Sequence, residues 1–322
     1  MKKCVQNYND YKKYIMSYKN DGIKDVSLKI YIQNLKKIFK ELFNCDKPNI
    51  NFFKDYMSVI EYVDNLKSNA SKKTMITSII VLLKSHGNFP SKIKNIYSKK
   101  LTDIAYKQNT IYLENVKSDK ENDNWISYEE INSILENLKK SKDDVKLTDR
   151  QKLDANQKYI ILRLYTDLPP VRNDYAFTKI FKNLDSVPDN EKDNYMLLDD
   201  KILILRNYKT YKFYGEKKII IPNSLLQVIK TFEKIKKTIT GGAIKHNYLL
   251  VNTTNLEPMS RVNLTKTLNK IFYPKKISTT ILRKIYLSNK YPISHSMNEM
   301  QKDADIMGHD IITARKIYTK IL

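Results

Sequence analysis

Long apolar runs are missing from this 322-residue chain: no stretch approaches the roughly eighteen to twenty residues that a membrane-spanning helix needs, so no membrane partner is expected. Cysteine is nearly absent. Cys4 and Cys45 are too few for a disulfide framework, and no Cys/His spacing matches a zinc site. The N-terminal residues Met1 to Asn7 hold no apolar core of signal-peptide length, so a reducing, intracellular setting is expected. Glycine totals six and histidine four. Acidic residues are also outnumbered, 35 against 58 lysines and arginines, which leaves a net charge of +23 and a pI near 9.6. Clustered cations gain free energy by releasing counterions from nucleic acid, so a polyanionic partner is implied. A lysine-rich proteome raises such a figure in every protein, and the charge alone therefore names no partner.

Arginine is the scarcest of the common charged residues. Only seven of the 58 basic residues are arginine: Arg150, Arg163, Arg172, Arg206, Arg261, Arg283 and Arg315. A chain that uses lysine wherever any cation serves keeps arginine where a planar, bidentate, permanently charged fork is required. Some of the seven are expected to be functional.

What is present is a globular composition, 41% hydrophobic, in a length that favours two domains. The first ~115 residues carry helical periodicity. Ser27 to Phe43 places Leu28, Ile32, Leu35, Phe39 and Leu42 three or four apart with lysines opposite; similar stripes run from Phe52 to Leu66 and from Ser71 to Lys84. Asn115 to Asn124 lacks that periodicity and reads as a polar linker. Ser127 with Glu130 forms a capping box that starts a second domain. The division is set at residues 1–118 and 119–322.

The second domain mixes helix and strand. A helix near Asp154 to Tyr165 is broken by Pro169-Pro170, and a short helix containing Arg172 is expected behind the break. Met196 to Leu198, Lys201 to Leu205 and Lys217 to Ile221 are β-rich, which predicts a small antiparallel sheet. Helices are expected again over Ser224–Lys237, Ser260–Phe272, Thr279–Asn289, Ser296–Met307 and from Ile311 to the end, with a capping box at Ser296/Glu299 and Gly308 as the C′ residue before His309. The fold class is mainly α with a small antiparallel β-sheet.

Four segments of the second domain, in order, resemble the active site of the tyrosine recombinase (phage integrase) family. Leu164 to Arg172 looks like its first arginine box, and the turn Asn207-Tyr208-Lys209-Thr210 like its catalytic-lysine turn. Thr279 to Lys284 is similar to its His-x-x-Arg box. Met307-Gly308-His309, with Tyr318 nine positions after the histidine, is similar to its Leu-Gly-His and terminal nucleophile. Thr280 stands where the family has a histidine, so that position supplies a hydrogen bond at most. The resemblance covers about Trp125 to Leu322 and implies a helical DNA-clamping domain followed by an α+β catalytic domain.

It also implies a site of Arg172, Lys209, Arg283, His309 and Tyr318. Displacing a 5′-oxygen from phosphorus concentrates negative charge on two non-bridging oxygens, which two guanidinium forks can stabilise. A phenol near pKa 10 is mostly protonated at neutral pH, so a tyrosine nucleophile needs a cationic site or a base. The leaving oxygen needs a general acid, the role implied for Lys209, with Lys212 and Lys217 as competitors. The implied enzyme cuts and rejoins double-stranded DNA through a 3′-phosphotyrosine, as a homotetramer on its DNA, with no metal or cofactor. Four residues follow Tyr318, little chain for exchange between protomers. Two rival readings remain: a type IB topoisomerase or telomere resolvase with the same chemistry, and a non-catalytic basic DNA-binding protein.

Overall fold

The computed structural model describes residues 7–19, 22–45, 48–113, 115–291 and 297–320. They form two compact units, Met1–Glu114 and Asn115–Leu322. Unit one is helical: α1 (Tyr8–Tyr18), α2 (Asp25–Glu41), α3 (Tyr56–Asp64), α4 (Asn69–Ser85) and α5 (Ser91–Leu113). Helix α2 buries Leu28, Ile32, Leu35 and Phe39, as its spacing predicts. Ser68 caps α4 by accepting from the Ser71 amide. Helix α4 buries residues on most of its circumference, from Met75 to Leu83, because its neighbours pack around it. The expected helix from Phe52 to Leu66 is instead a 3₁₀ turn, Ile50–Lys54, followed by α3, since the Asp55 side chain caps a new start at the Ser58 amide.

Unit two opens with α6 (Asp119–Asn124), where a linker was expected. Its composition is polar throughout, so no apolar stripe marks it. Ser118 and Glu121 nevertheless form a capping box, and the Glu121 carboxylate also pairs with the buried Lys284 ammonium. Helices α7 (Tyr128–Ser141) and α8 (Asp149–Asp167) follow, each started by a capping box, Ser127/Glu130 and Thr148/Gln151. Arg172 is not inside a helix. It is the extended N-cap of a 3₁₀ turn, Asn173–Phe177, since the chain leaving Pro169-Pro170 has only enough regular backbone for one tight turn before the first strand.

The sheet has four strands in the order β1 (Thr178–Phe181), β2 (Asn194–Leu197), β3 (Ile202–Leu205), β4 (Lys217–Ile220). It is mixed rather than purely antiparallel. Strand β1, unmarked in the sequence by any alternation, pairs in parallel with β2 through the register Thr178↔Asn194, and its other edge is satisfied by residues 247–249. One sheet face, with Met196, Leu203, Leu205 and Ile219, joins the main core under α8 and α10 (Asn223–Thr240). The opposite face carries Tyr195, Leu197 and Ile204 in a separate small cluster. Between β3 and β4 lies a long connection that holds a one-turn helix, α9 (Tyr211–Tyr214).

Helices α11 (Arg261–Ile271), α12 (Thr279–Lys290) and α13 (Met297–Met307) complete the core. The expected Ser296/Glu299 capping box lies outside the described residues. The last helix was expected to continue to the end of the chain. Instead α14 (Ile311–Thr313) passes into a π turn, Ala314–Tyr318, and the chain is extended at Thr319. The Thr319 amide bonds the Ala314 carbonyl five residues back (2.9 Å), which ends the helix at Tyr318. No helix among the described residues is long and apolar enough to cross a membrane.

Candidate active site

Helix α12 is buried on two sides. Ile281, Leu282 and Ile285 face the main core, whereas Leu287 and Tyr291 pack with Met307, Ala314 and Tyr318 of the C-terminal segment. Arg283 lies between these groups and is 1% exposed. A buried cation must be paired or its charge is costly. Its Nη1 donates to the Tyr318 hydroxyl (2.9 Å) and its Nη2 to the Met307 carbonyl (3.0 Å), while Nε has no partner among the described residues. The guanidinium also covers the Tyr318 ring at 4.4 Å. Burial, followed by repulsion from Arg172, lowers the Arg283 pKa to about 10 against the pull of Tyr318, so it stays cationic at neutral pH.

His309 stacks on Tyr318, with ring centroids 4.7 Å apart and planes 14° from parallel. It is 5% exposed; Nδ1 is 3.4 Å from the Asp310 carbonyl and Nε2 has no partner among the described residues. Burial and the Arg283 charge lower its pKa to about 4, so the imidazole is neutral at pH 7. Arg172 is half-buried, and its charge acts on Arg283, His309 and Asp174. Tyr165 fixes its backbone by donating to the Arg172 carbonyl (2.9 Å). Two guanidinium groups, an imidazole and a phenol, drawn from the 3₁₀ turn, α12, the α13–α14 corner and the π turn, therefore converge.

No protein-family profile matches the chain, and no curated protein does. Solved structures do. The Tn1549 transposon integrase, in complex with transposon right end DNA, aligns over 97% of this chain and 95% of its own at 15% identity, with a TM-score of 0.58. XerA recombinase aligns over 98% and 94% at 13% identity, with a TM-score of 0.43. The chain has a tyrosine recombinase fold.

Within this recombinase fold the π turn delivers Tyr318 from its own chain. The Ser288 hydroxyl accepts from the Lys320 amide (2.7 Å) and lies 3.4 Å from the Tyr318 carbonyl, which ties the segment after the tyrosine to α12. Lys209 does not join the cluster. It is exposed and makes no hydrogen bond or ion pair among the described residues. Lys212 is exposed as well. Lys217, at the start of β4, is the half-buried lysine that feels Arg283. Burial above all, and that repulsion, lower its pKa to about 8 against the attraction of Asp305, and its ammonium lies 5.5 Å from the Tyr208 ring centre and 4.9 Å from that of Tyr214. Thr280 is exposed on the first turn of α12, without a hydrogen bond among the described residues.

Two supporting residues escaped the sequence reading. Asp174 is buried beneath the arginines. Burial raises its carboxyl pKa, while Arg261, Arg172 and Arg283 pull it back down, and Arg261 Nη2 is 3.5 Å away. The charges of three of the seven arginines thus act on one carboxylate. Others are structural: Arg163 forks onto Asp167 and Arg206 pairs with Glu216. A carboxylate two residues after Arg172 was the only local signal for Asp174, and nothing in the sequence linked Arg261 to it. Among the described residues no three His, Cys, Asp or Glu side chains gather as a metal site.

Gly308 lets the β3–β4 connection meet this site. It has φ +74°, and a Cβ there would lie 2.7 Å from Thr210 Oγ1 and 3.3 Å from Tyr208 Cε2. Thr210 donates to the Gly308 carbonyl (2.9 Å). Gly308→Ala is expected to destabilise the protein by about 2 kcal/mol, of which the left-handed backbone accounts for roughly 1–2 kcal/mol and the contact for the rest. In urea unfolding of the full chain, adding Thr210→Ala should recover only the contact share. An unchanged midpoint in Gly308→Ala contradicts this account.

Proposed function

We propose that this protein is a DNA strand-transfer enzyme in which Tyr318 attacks a backbone phosphodiester of duplex DNA. The observation that carries the reading is the Tyr318 hydroxyl held 2.9 Å from a buried arginine and stacked on a buried histidine, on a tyrosine recombinase fold. The phenol oxygen bonds to phosphorus and the 5′-oxygen leaves, giving a 3′-phosphotyrosine and a free 5′-hydroxyl. A second 5′-hydroxyl then attacks the phosphotyrosine and releases Tyr318. Bond energy is conserved, so no ATP is consumed.

Each residue has a chemical task. Arg283 and Arg172 balance the charge that grows on the non-bridging oxygens, and the Arg283 donor bond orients the Tyr318 oxygen, whose proton is lost to solvent as it bonds phosphorus. His309, with a pKa near 4, is too weak a base to hold that proton; its Nδ1–H faces the Asp310 carbonyl, and its ring, stacked on Tyr318, positions the nucleophile. Lys217, rather than Lys209, protonates the leaving 5′-oxygen. It is the lysine at the start of β4, half-buried and acted on by the Arg283 charge, and a pKa near 8 leaves it mostly charged at pH 7 yet ready to give up its proton. Asp174 is a positioning residue that holds Arg172 and Arg261. Recombination between two duplexes requires four cuts, and the assembly on DNA is proposed to be a homotetramer.

The direct test is a nicked suicide duplex whose cut fragment diffuses away. A denaturation-resistant protein–DNA adduct is expected from the parent protein and none from Tyr318→Phe. An adduct from Tyr318→Phe removes Tyr318 as nucleophile. Relaxation of supercoils without joining of separate strands redirects the reading to a topoisomerase.

A further inference from the structure

The β3–β4 connection exposes three aromatic side chains in one four-residue turn, Tyr211, Phe213 and Tyr214. Phe213 is 85% exposed. A single exposed apolar residue is ordinary, but this one stands on a braced base. The Tyr208 hydroxyl donates to the Gly215 carbonyl (2.7 Å), the Gly215 amide donates to the Tyr211 carbonyl (2.8 Å), and the Thr210 hydroxyl donates to the Gly308 carbonyl (2.9 Å). Tyr211 packs edge-on against Tyr208 (6.0 Å between centroids), and the Lys217 ammonium covers Tyr214. The two tyrosines are thus held from behind, whereas Phe213 is offered to solvent. Ordering has already occurred in the free protein, so little entropy is lost when that ring meets a partner.

The surroundings specify the partner. In sequence, lysines 209, 212, 217 and 218 flank the turn against one carboxylate, Glu216, which is already paired with Arg206, while Asp305 acts on Lys217 from α13. The turn is anchored on Gly308, next in sequence to His309, so a strand whose phosphate reaches Tyr318 passes beside it. Aromatic rings interleaved with lysines, beside a phosphate site, match the chemistry of a nucleobase face and its backbone.

We propose that the Tyr211–Tyr214 turn is a base-stacking wedge, with Phe213 stacking on a nucleobase of the bound duplex next to the scissile phosphate and Lys209 and Lys212 contacting the backbone on either side. This rests on the DNA strand-transfer reading and deepens it: the wedge would unstack the base step at the cut and free the 5′-end for transfer. Every base has an aromatic face, so the contact is tolerant of sequence.

The test uses the full chain carrying Tyr318→Phe, so that no chemistry occurs, and a short mixed-sequence duplex. In a Phe213→Trp version the added indole emission is expected to be quenched at saturating duplex beyond the change shown by Trp125 in the same background without that substitution. Phe213→Ala is expected to bind roughly tenfold more weakly with an unchanged salt dependence, because no phosphate contact is lost. Lys212→Ala should instead reduce the salt slope by about one. Unquenched indole emission, or Phe213→Ala affinity equal to the parent, overturns the wedge. Quenching in the Tyr318→Phe background, when the Tyr318-intact parent forms no adduct on the suicide duplex, overturns the chemistry and keeps the wedge; an adduct from the parent without quenching does the reverse.

Discussion

Lys217→Met is expected to slow strand cleavage by about 10²–10⁴-fold, the usual contribution of a positioned general acid, while DNA affinity changes little. The sign of the pH dependence follows from which form works. Protonated Lys217 is the acid, and burial, helped by Arg283 repulsion against the pull of Asp305, places its pKa at about 8, so cleavage by the parent at subsaturating DNA should fall as pH rises through that value. The break should vanish in Lys217→Met. A substrate with sulfur in place of the 5′-bridging oxygen separates the acid role from simple electrostatics. Its leaving thiolate, from a thiol of pKa about 8.5, needs no proton, so Lys217→Met should cleave it nearly as fast as the parent. An equal defect on both substrates makes Lys217 a charge rather than an acid. A defect that appears in Lys209→Met and not in Lys217→Met moves the acid to Lys209.

Arg283→Ala should reduce the single-turnover rate of adduct formation by about 10²–10³-fold, as loss of one donor to a developing oxyanion does. The substitution removes both the bond to the Tyr318 hydroxyl and the bond to the Met307 carbonyl, so it also frees the nucleophile's own orientation. A second readout distinguishes charge from packing. The Arg283 cation is, after burial, the next cause holding the His309 pKa down near 4. In Arg283→Ala the His309 imidazole should titrate measurably higher by NMR, toward the ordinary 6.5, and in Arg283→Lys it should stay depressed. A cleavage rate within a few-fold of the parent, or an unmoved His309 titration, contradicts the role given to Arg283.

Much of the helical frame was legible. Helix α2 could be read from Leu28, Ile32, Leu35 and Phe39, because each turn repeats the same burial and its hydrogen bonds are local. Capping boxes at Ser127/Glu130 and the stop at Gly308 are equally local. Helix α6 was missed because its stabilisation comes from a box that lacks a following apolar stripe and from a partner, Lys284, more than 160 positions away. Strand β1 was missed for a related reason. Thr178 to Phe181 alternates too weakly to announce a strand, and its ladder is made with residues 194–197 and 247–249.

The candidate site divides in the same way. Arg172, Arg283, His309 and Tyr318 stood out from the sequence through their types, their order and the scarcity of arginine and histidine. Lysine has no such scarcity, and 209, 212 and 217 were equivalent until burial separated Lys217 from the other two. The action of the Arg172, Arg261 and Arg283 charges on Asp174 joins three elements that share no local pattern.

The sequence by itself determined the helices, their caps, the polyanion-seeking charge and the chemical types of the site, since these depend on periodicity and composition within a few turns of chain. Tertiary structure alone decided which of the three lysines is half-buried, where the last helix yields to a π turn, and that Tyr318 meets Arg283 and His309 in its own chain. Those outcomes depend on burial and on distances between residues remote in sequence, and the energy of a buried charge is set by everything packed around it.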